Sequence, residues 1–220
     1  MFTIAIDGPS GSGKSTAAKM VARQLGAGYL DTGAMYRAVA VGCMNAGIDH
    51  EDEEGIAAYC HNMELEISTD PDHESVRLGG VDVTQAIRAP EVSAWVSAVS
   101  TNPACRVELV RRQQAIIAGG DFVAEGRDIT TVVAPEAKVR VLLTADPQAR
   151  MDRRGAELAG AVDEAGLRDQ VLRRDRDDST LVNFTTASTG VVTIDSTFLT
   201  PAEVVGRILL LAKRAGLDVD

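Results

Sequence analysis

Gly8-Pro9-Ser10-Gly11-Ser12-Gly13-Lys14-Ser15 fits the pattern G-x-x-x-x-G-K-[ST] at every fixed position. It follows a short apolar run, Thr3-Ile4-Ala5-Ile6, and opens a helical stretch from Ser15 to Leu25 that Gly26 can terminate. A glycine-rich turn that merely caps a helix needs neither the lysine nor the strand in front. Glycines let successive backbone N–H groups face one anion, and the helix N-terminus behind them adds about half a positive charge. Lys14 is then placed to reach terminal phosphates, and the Ser15 hydroxyl to hold Mg²⁺.

Outward from this loop, further runs rich in β-branched residues recur at Tyr29–Leu30, Phe122–Ala124, Val139–Leu143 and Val191–Ile194, with longer helical patterns between them. That alternation predicts an α/β fold, a five-stranded parallel sheet with helices on both faces. Asn102-Pro103, Asp146-Pro147 and Thr200-Pro201 each pair a capping residue with proline at the first helical position, and Glu203 completes a capping box with Thr200. Leu65–Ile67, Val76–Leu78, the Gly79-Gly80 turn and Val81–Val83 read instead as short antiparallel strands, a small insert over about residues 60–90.

The 220 residues, 45% of them apolar, suit one principal domain spanning 1–220. A formal charge of -10 repels nucleic acid and anionic membrane, so anionic ligands must be met by local positive clusters. Arg150, Arg153, Arg154, Arg168, Arg173, Arg174 and Arg176 form such a cluster, unless they line a solvated helix face. Three widely spaced cysteines, Cys43, Cys60 and Cys105, show no metal-ligand pattern and fit a reducing compartment. A strand beginning near residue 2 and the lack of an apolar run of membrane-spanning length lead us to expect a soluble, untargeted, cytoplasmic chain.

A phosphate loop does not by itself choose among kinases, GTPase switches and motor ATPases. No lysine follows an asparagine, so the guanine-reading Asn-Lys-x-Asp motif is missing, and no strand ends in Asp-Glu as motor ATPases require. What remains suits a second phosphorylated substrate. Asp31-Thr32-Gly33-Ala34-Met35-Tyr36-Arg37 leaves the second strand, with Thr32 as the expected cap of the next helix and Arg37 about one turn in. Glu125-Gly126-Arg127-Asp128 leaves another strand at the same sheet edge, where ligands bind in open α/β sheets. Arg127 can meet a phosphate there and Asp128 can accept a hydrogen bond from a base. Arg174 and Asp178, four residues apart, share a helix face.

These motifs, with the Asp82-Val83 to Ile87-Arg88 segment, Thr131-Val132-Val133 and Arg174-Asp175-Arg176-Asp177-Asp178-Ser179, make the chain resemble the bacterial cytidylate kinases along nearly its whole length. The resemblance implies a P-loop nucleoside monophosphate kinase fold, with a nucleotide-side insert and a short lid over about residues 150–166. It implies transfer of a phosphate from ATP to CMP or dCMP, with Mg²⁺, by a protein expected to be a monomer. It assigns ATP binding to Gly8, Pro9, Ser10, Gly11, Ser12, Gly13, Lys14, Ser15 and Thr16. Cytosine reading falls to Ser97, Arg106 and Asp128, with Tyr36, Arg37, Arg127 and Arg174 at the monophosphate, Asp178 at the ribose, and Thr32 and Gly126 among the other CMP-binding residues. Lys14, Arg150, Arg153, Arg154 and Arg174 are the expected catalytic cations. One position departs: Leu181 stands where the family pattern has a phosphate-binding arginine. The alternatives are a phosphotransferase for another small phosphate-bearing acceptor, or a weakly active nucleotide-binding homologue.

Overall fold

Alternation along the central strands decides the layering of the molecule. In the first strand, β1 (Thr3–Asp7), Ile4 and Ile6 enter one apolar cluster and Ala5 the other. The same switch repeats in β2 (Gly28–Asp31) at Tyr29 and Leu30, and in β6 (Phe122–Gly126) at Val123 and Ala124. A sheet with both faces apolar must be covered on both sides. The computed structural model, which describes residues 1–157 and 186–219, shows this arrangement.

The sheet is five-stranded and parallel, in the order β2-β6-β1-β7-β8, with β7 at Val139–Thr144 and β8 at Val192–Asp195. On one face lie α1 (Lys14–Leu25) and α7 (Pro201–Arg214). The stripe Ala17, Ala18, Val21 and Ala22 on α1 is small enough to bring the helix close to the strands. On the other face lie α2 (Thr32–Asn45), α3 (Glu53–Asn62), α4 (Pro90–Thr101) and α5 (Pro103–Ile117). Burying Ile4, Ile6, Leu30 and Leu143 completely stabilises the fold by about 1.5–3 kcal/mol per side chain. Among the described residues no helix is long and apolar enough to cross a membrane.

The capping signals appear as expected. Asn102 accepts from the Cys105 amide, and Thr200 and Glu203 form a reciprocal box. The Asp146 carboxylate accepts from the Gln148 amide at the start of α6 (Pro147–Glu157). One expectation is corrected. The cap of α2 is Asp31, whose Oδ1 accepts from the Ala34 amide at 2.8 Å; Thr32 is already helical and sends its hydroxyl across to the Glu125 carbonyl.

β3 (Leu65–Ile67), β4 (Val76–Leu78) and β5 (Val81–Asp82) form a separate antiparallel sheet. Gly79 and Gly80, with φ of 52° and 77°, make the two-residue turn that joins β4 to β5. The loop between β3 and β4 returns to the main body, where Thr69 O accepts from the Tyr29 amide of the edge strand at 2.8 Å. Arg23 of α1 donates to Asp72 and to Pro71 O, and Lys19 pairs with Glu74. Edge strand β2 is thereby covered rather than left open. The lid expected at about 150–166 falls within the described residues only as far as α6, and Arg168, Arg173, Arg174, Arg176, Asp178 and Leu181 lie outside them.

Candidate active site

The phosphate loop links β1 to α1 at the carboxyl edge of the sheet. Two of its glycines, Gly8 and Gly11, are fixed by contact as well as by conformation. A Cβ on Gly8 would stand 2.1 Å from the Leu143 carbonyl oxygen, and one on Gly11, at φ 74°, 2.6 Å from the Arg150 carbonyl oxygen. Gly13 precedes the helix in a left-handed conformation and offers no capping side chain, so the first-turn N–H groups of α1 point into the loop. Such a loop suits an anion.

The rear of the loop is tied down by its neighbours. Arg150 donates to Ser10 O at 3.1 Å, and the Ser196 hydroxyl beyond β8 donates to Ser12 O at 3.0 Å. Arg153 donates to the Ser196 hydroxyl and to its carbonyl. At the front, Lys14 Nζ donates to Pro9 O at 3.0 Å. The Ser15 hydroxyl donates to Glu125 Oε1 at 2.6 Å, and the Tyr29 hydroxyl approaches the same oxygen at 3.3 Å. Burial, reinforced by Asp31 and Glu125, pushes the Tyr29 phenol upward, so it stays a donor.

Across from the loop, the ends of β2 and β6 bring a second set of charges together. Burial opposes ionisation of Asp31, but the guanidinium groups of Arg37 and Arg88 outweigh it and hold the carboxyl below its usual range. Arg37 donates to Asp31 Oδ2 at 2.8 Å, and Arg88 reaches the same oxygen at 3.3 Å and Glu74 at 2.9 Å. Lys19, next to Glu74, is shifted downward, first by burial and then by Arg88. Thr32 ties β2 to β6 through Glu125 O at 2.8 Å. Beyond Gly126, Arg127 donates to Gly8 O at 2.8 Å, and Asp128 Oδ2 accepts from Arg106 of α5 at 2.6 Å. Tyr36 is buried, and that burial, followed by the charge of Asp128, raises its phenol.

One cavity of about 670 Å³ joins these parts. Of the residues singled out from sequence, Ser10, Gly11, Gly13, Lys14, Ser15, Thr16, Thr32, Tyr36, Arg37, Arg106, Gly126, Arg127, Asp128 and Arg154 line it. Gly8, Pro9 and Ser12 form the loop without facing the cavity, and Arg150 and Arg153 support it from outside. Ser97 lies on α4 between Val96 and Ser100, which line the cavity, but is not itself in the wall. Arg174 and Asp178 lie outside the described residues. Lys19, Asp31, Arg88, Ser93 and Glu125 also line the cavity, and sequence reasoning gave them no role. Glu125 and Asp31 carried a usable signal, an acidic residue at the end of a strand beside a motif. Arg88 stood in the quoted Asp82-Val83 to Ile87-Arg88 segment, but nothing local in that segment pointed it at the cavity.

Next to the loop, Ser15 and Glu125 pair a hydroxyl with a carboxylate, and among the described residues no cluster of three or more His, Cys, Asp or Glu side chains is suited to a metal. Two protein oxygens fit Mg²⁺, which takes most of its ligands from water and phosphate.

The sequence model of the family described as Cytidylate kinase matches residues 4–214. A cytidylate kinase of Cutibacterium acnes is 49% identical over 213 residues, covering 94% of each chain. Cytidylate kinases of Mycolicibacterium paratuberculosis and Pelotomaculum thermopropionicum are 43% and 45% identical, the first over 96% of this chain and 95% of its own, the second over 80% of each. An uncharacterized protein from Eubacterium ventriosum has a similar fold, with a TM-score of 0.51 at 13% identity, covering 99% of this chain and all of that one.

Proposed function

This chain belongs to the cytidylate kinase family, and on that premise we propose that it transfers the γ-phosphate of ATP to CMP, and to dCMP, releasing ADP and the nucleoside diphosphate. The observation that carries the reading is the opening of Lys14 and Ser15, on one side, and the Arg106–Asp128 pair, on the other, onto one cavity.

Gly8–Thr16 then hold the donor's phosphates, with Lys14 at the terminal ones. Ser15, oriented by Glu125, would hold Mg²⁺, which when bound neutralises charge on the donor's phosphates. Cytosine presents an amino donor for Asp128 and ring acceptors for Arg106, with Ser97 as the third reading group. Tyr36, Arg37, Arg127 and Arg174 hold the acceptor's phosphate, Asp178 meets the ribose, and Thr32 and Gly126 complete the CMP site. The insert over about 60–90 serves the CMP side, and closure of the short lid over about 150–166, which lies within the described residues only to residue 157, would exclude water. Arg154 faces the transferring group from α6, while Arg150 and Arg153 act by holding the loop at Ser10 and the turn at Ser196.

No general base is required of the chain. A phosphate monoester has a second pKa near 6, so the attacking oxygen is largely ionised at pH 7. That oxygen forms a bond to the γ-phosphorus as the bond to the bridging oxygen breaks, and the electron pair leaves with ADP. What the protein contributes is alignment and positive charge around the transferring group.

An assay of ADP release with ATP and each monophosphate in turn tests the proposal. CMP and dCMP should be phosphorylated at least about a hundredfold better, in kcat/KM, than UMP, because uracil turns a carbonyl oxygen, where cytosine has its amino donor, toward the buried Asp128 carboxylate. Equal rates with UMP would reject the base-reading assignment, and no transfer to any monophosphate would reject the kinase reading.

A further inference from the structure

Asp7 takes no part in the chemistry outlined above, yet it is a buried carboxylate, 3% exposed, at the last position of β1. Every hydrogen bond it accepts comes from one short segment. Oδ1 accepts from the Ile129 amide at 2.8 Å, and Oδ2 accepts from the Thr130 amide at 2.8 Å and the Thr130 hydroxyl at 2.6 Å. Ile129 and Thr130 begin the single wide turn Ile129–Val133, directly after Asp128. The Asp128 backbone is itself part of that turn, its carbonyl accepting from the Val132 and Val133 amides at 2.8 and 3.2 Å. On the near side of Asp128, Arg127 donates to the carbonyl of Gly8, the residue after Asp7. Consecutive residues at the end of β1 thus grip the chain on both sides of Asp128.

We propose that Asp7 is a positioning residue for the acceptor base: by holding Ile129 and Thr130 it sets where the Asp128 carboxylate stands, and so sets the preference for cytosine. The inference rests on the reading of Asp128 as the base-reading group. Three hydrogen bonds converge on this one buried side chain, and losing any of them leaves a buried partner unsatisfied. A displacement on the order of 1 Å at a group in contact with substrate costs about a hundredfold in rate. A purely structural carboxylate would lose stability when changed and leave the choice of base alone.

The test is Asp7→Asn, which keeps the shape but turns an amide N–H₂ toward an N–H that needs an acceptor. The wild-type protein is first assayed with CMP and UMP, and the variant is then assayed the same way, with ATP binding measured by titration. A wild type without preference for CMP overturns the reading of Asp128 and this inference with it. Given that preference, we expect Asp7→Asn to raise the KM for CMP about tenfold and lower the CMP-to-UMP ratio of kcat/KM at least about tenfold, with the ATP dissociation constant within about threefold. A folded Asp7→Asn protein that keeps the wild-type ratio overturns the positioning role alone. If Asp7→Asn does not fold, Thr130→Val carries the test, since it removes the hydroxyl bond and leaves both amide bonds. It should move the ratio in the same direction by about threefold, and an unchanged ratio overturns the proposal.

Discussion

At Asp31, two carboxylate oxygens serve the Ala34 amide and the guanidinium groups of Arg37 and Arg88. Removing the carboxylate leaves Arg37, whose side chain is 14% exposed, without its partner. Breaking a buried pair from one side costs about 3–5 kcal/mol, and in a chain of this size each kcal/mol is worth about 2–4 °C. Asp31→Ala should therefore lower Tm by at least about 6 °C at pH 7, as read by calorimetry. The folded carboxyl lies below its unfolded value of 3.8, so its stabilisation is present above that pH and fades as pH falls below it. The gap in Tm between wild type and variant should narrow below about pH 4, and a gap independent of pH would exclude the ion-pair account. Lys14 has the opposite character, because its ammonium lies at the cavity wall and bonds one carbonyl of its own loop. Lys14→Ala should reduce kcat at least about a thousandfold and change Tm by no more than about 2 °C. Near-normal turnover in the folded variant would remove the loop from the chemistry.

Among the elements, α5 shows how a site side chain is held through the middle of its own helix. Arg106, near the start of α5, reaches Asp128, and within the next two turns Glu108, Arg111 and Arg112 fasten the helix to its neighbour. Arg112 donates to the Met63 and His61 carbonyls at the end of α3, where a helix presents unpaired acceptors. Glu108 orients it, and the fork from Arg111, followed by Arg112, holds the Glu108 carboxyl down at about 2. Glu108→Gln should lower Tm by about 2–4 °C at pH 7, since Arg111 is exposed and water screens that pair. The difference should disappear as pH falls from 4.5 toward about 2, the interval over which the unfolded and then the folded carboxyl takes up its proton. The helices that sequence marked best were those whose caps lie within four residues, such as Asn102 to Cys105 and Thr200 to Glu203. The cap of α2 was placed one residue late because Asp31 and Thr32 are both capping types, and only the cross-strand bond from Thr32 to Glu125 O decides between them. The turn at Ile129–Val133 had no local signature, because the acceptor that shapes it, Asp7, lies 122 residues away from Ile129 in the chain.

At the scale of the whole molecule, the strand order β2-β6-β1-β7-β8 does what no segment could announce. It places β6 between β1 and β2, so that the loop of residues 8–15, the end of β2 and Arg127-Asp128 meet at one edge. Parallel pairing was readable from the β-branched runs, but the order was not, because each long crossover leaves several neighbours open. For the same reason Lys19 joined the cavity without forewarning. That assembly also sets a conflict of fields. The chain carries a formal charge of -10, which repels a dianionic monophosphate, whereas the cavity wall gathers Lys14, Lys19, Arg23, Arg37, Arg88, Arg106, Arg127 and Arg154 against Asp31, Glu125 and Asp128. Distance decides the outcome. The screening length is about 10 Å in 0.1 M salt, so distant surface charges are already muted at the cavity while the nearby cations are not. Raising monovalent salt from about 50 to about 500 mM should therefore weaken the attraction that remains, increasing the KM for CMP several-fold while kcat stays within about twofold. Cytidine, which carries the base without the phosphate, should inhibit with a constant that changes by less than about twofold over the same range. A KM for CMP that falls as salt rises would mean that the acidic exterior, and not the basic cavity, governs the approach of substrate.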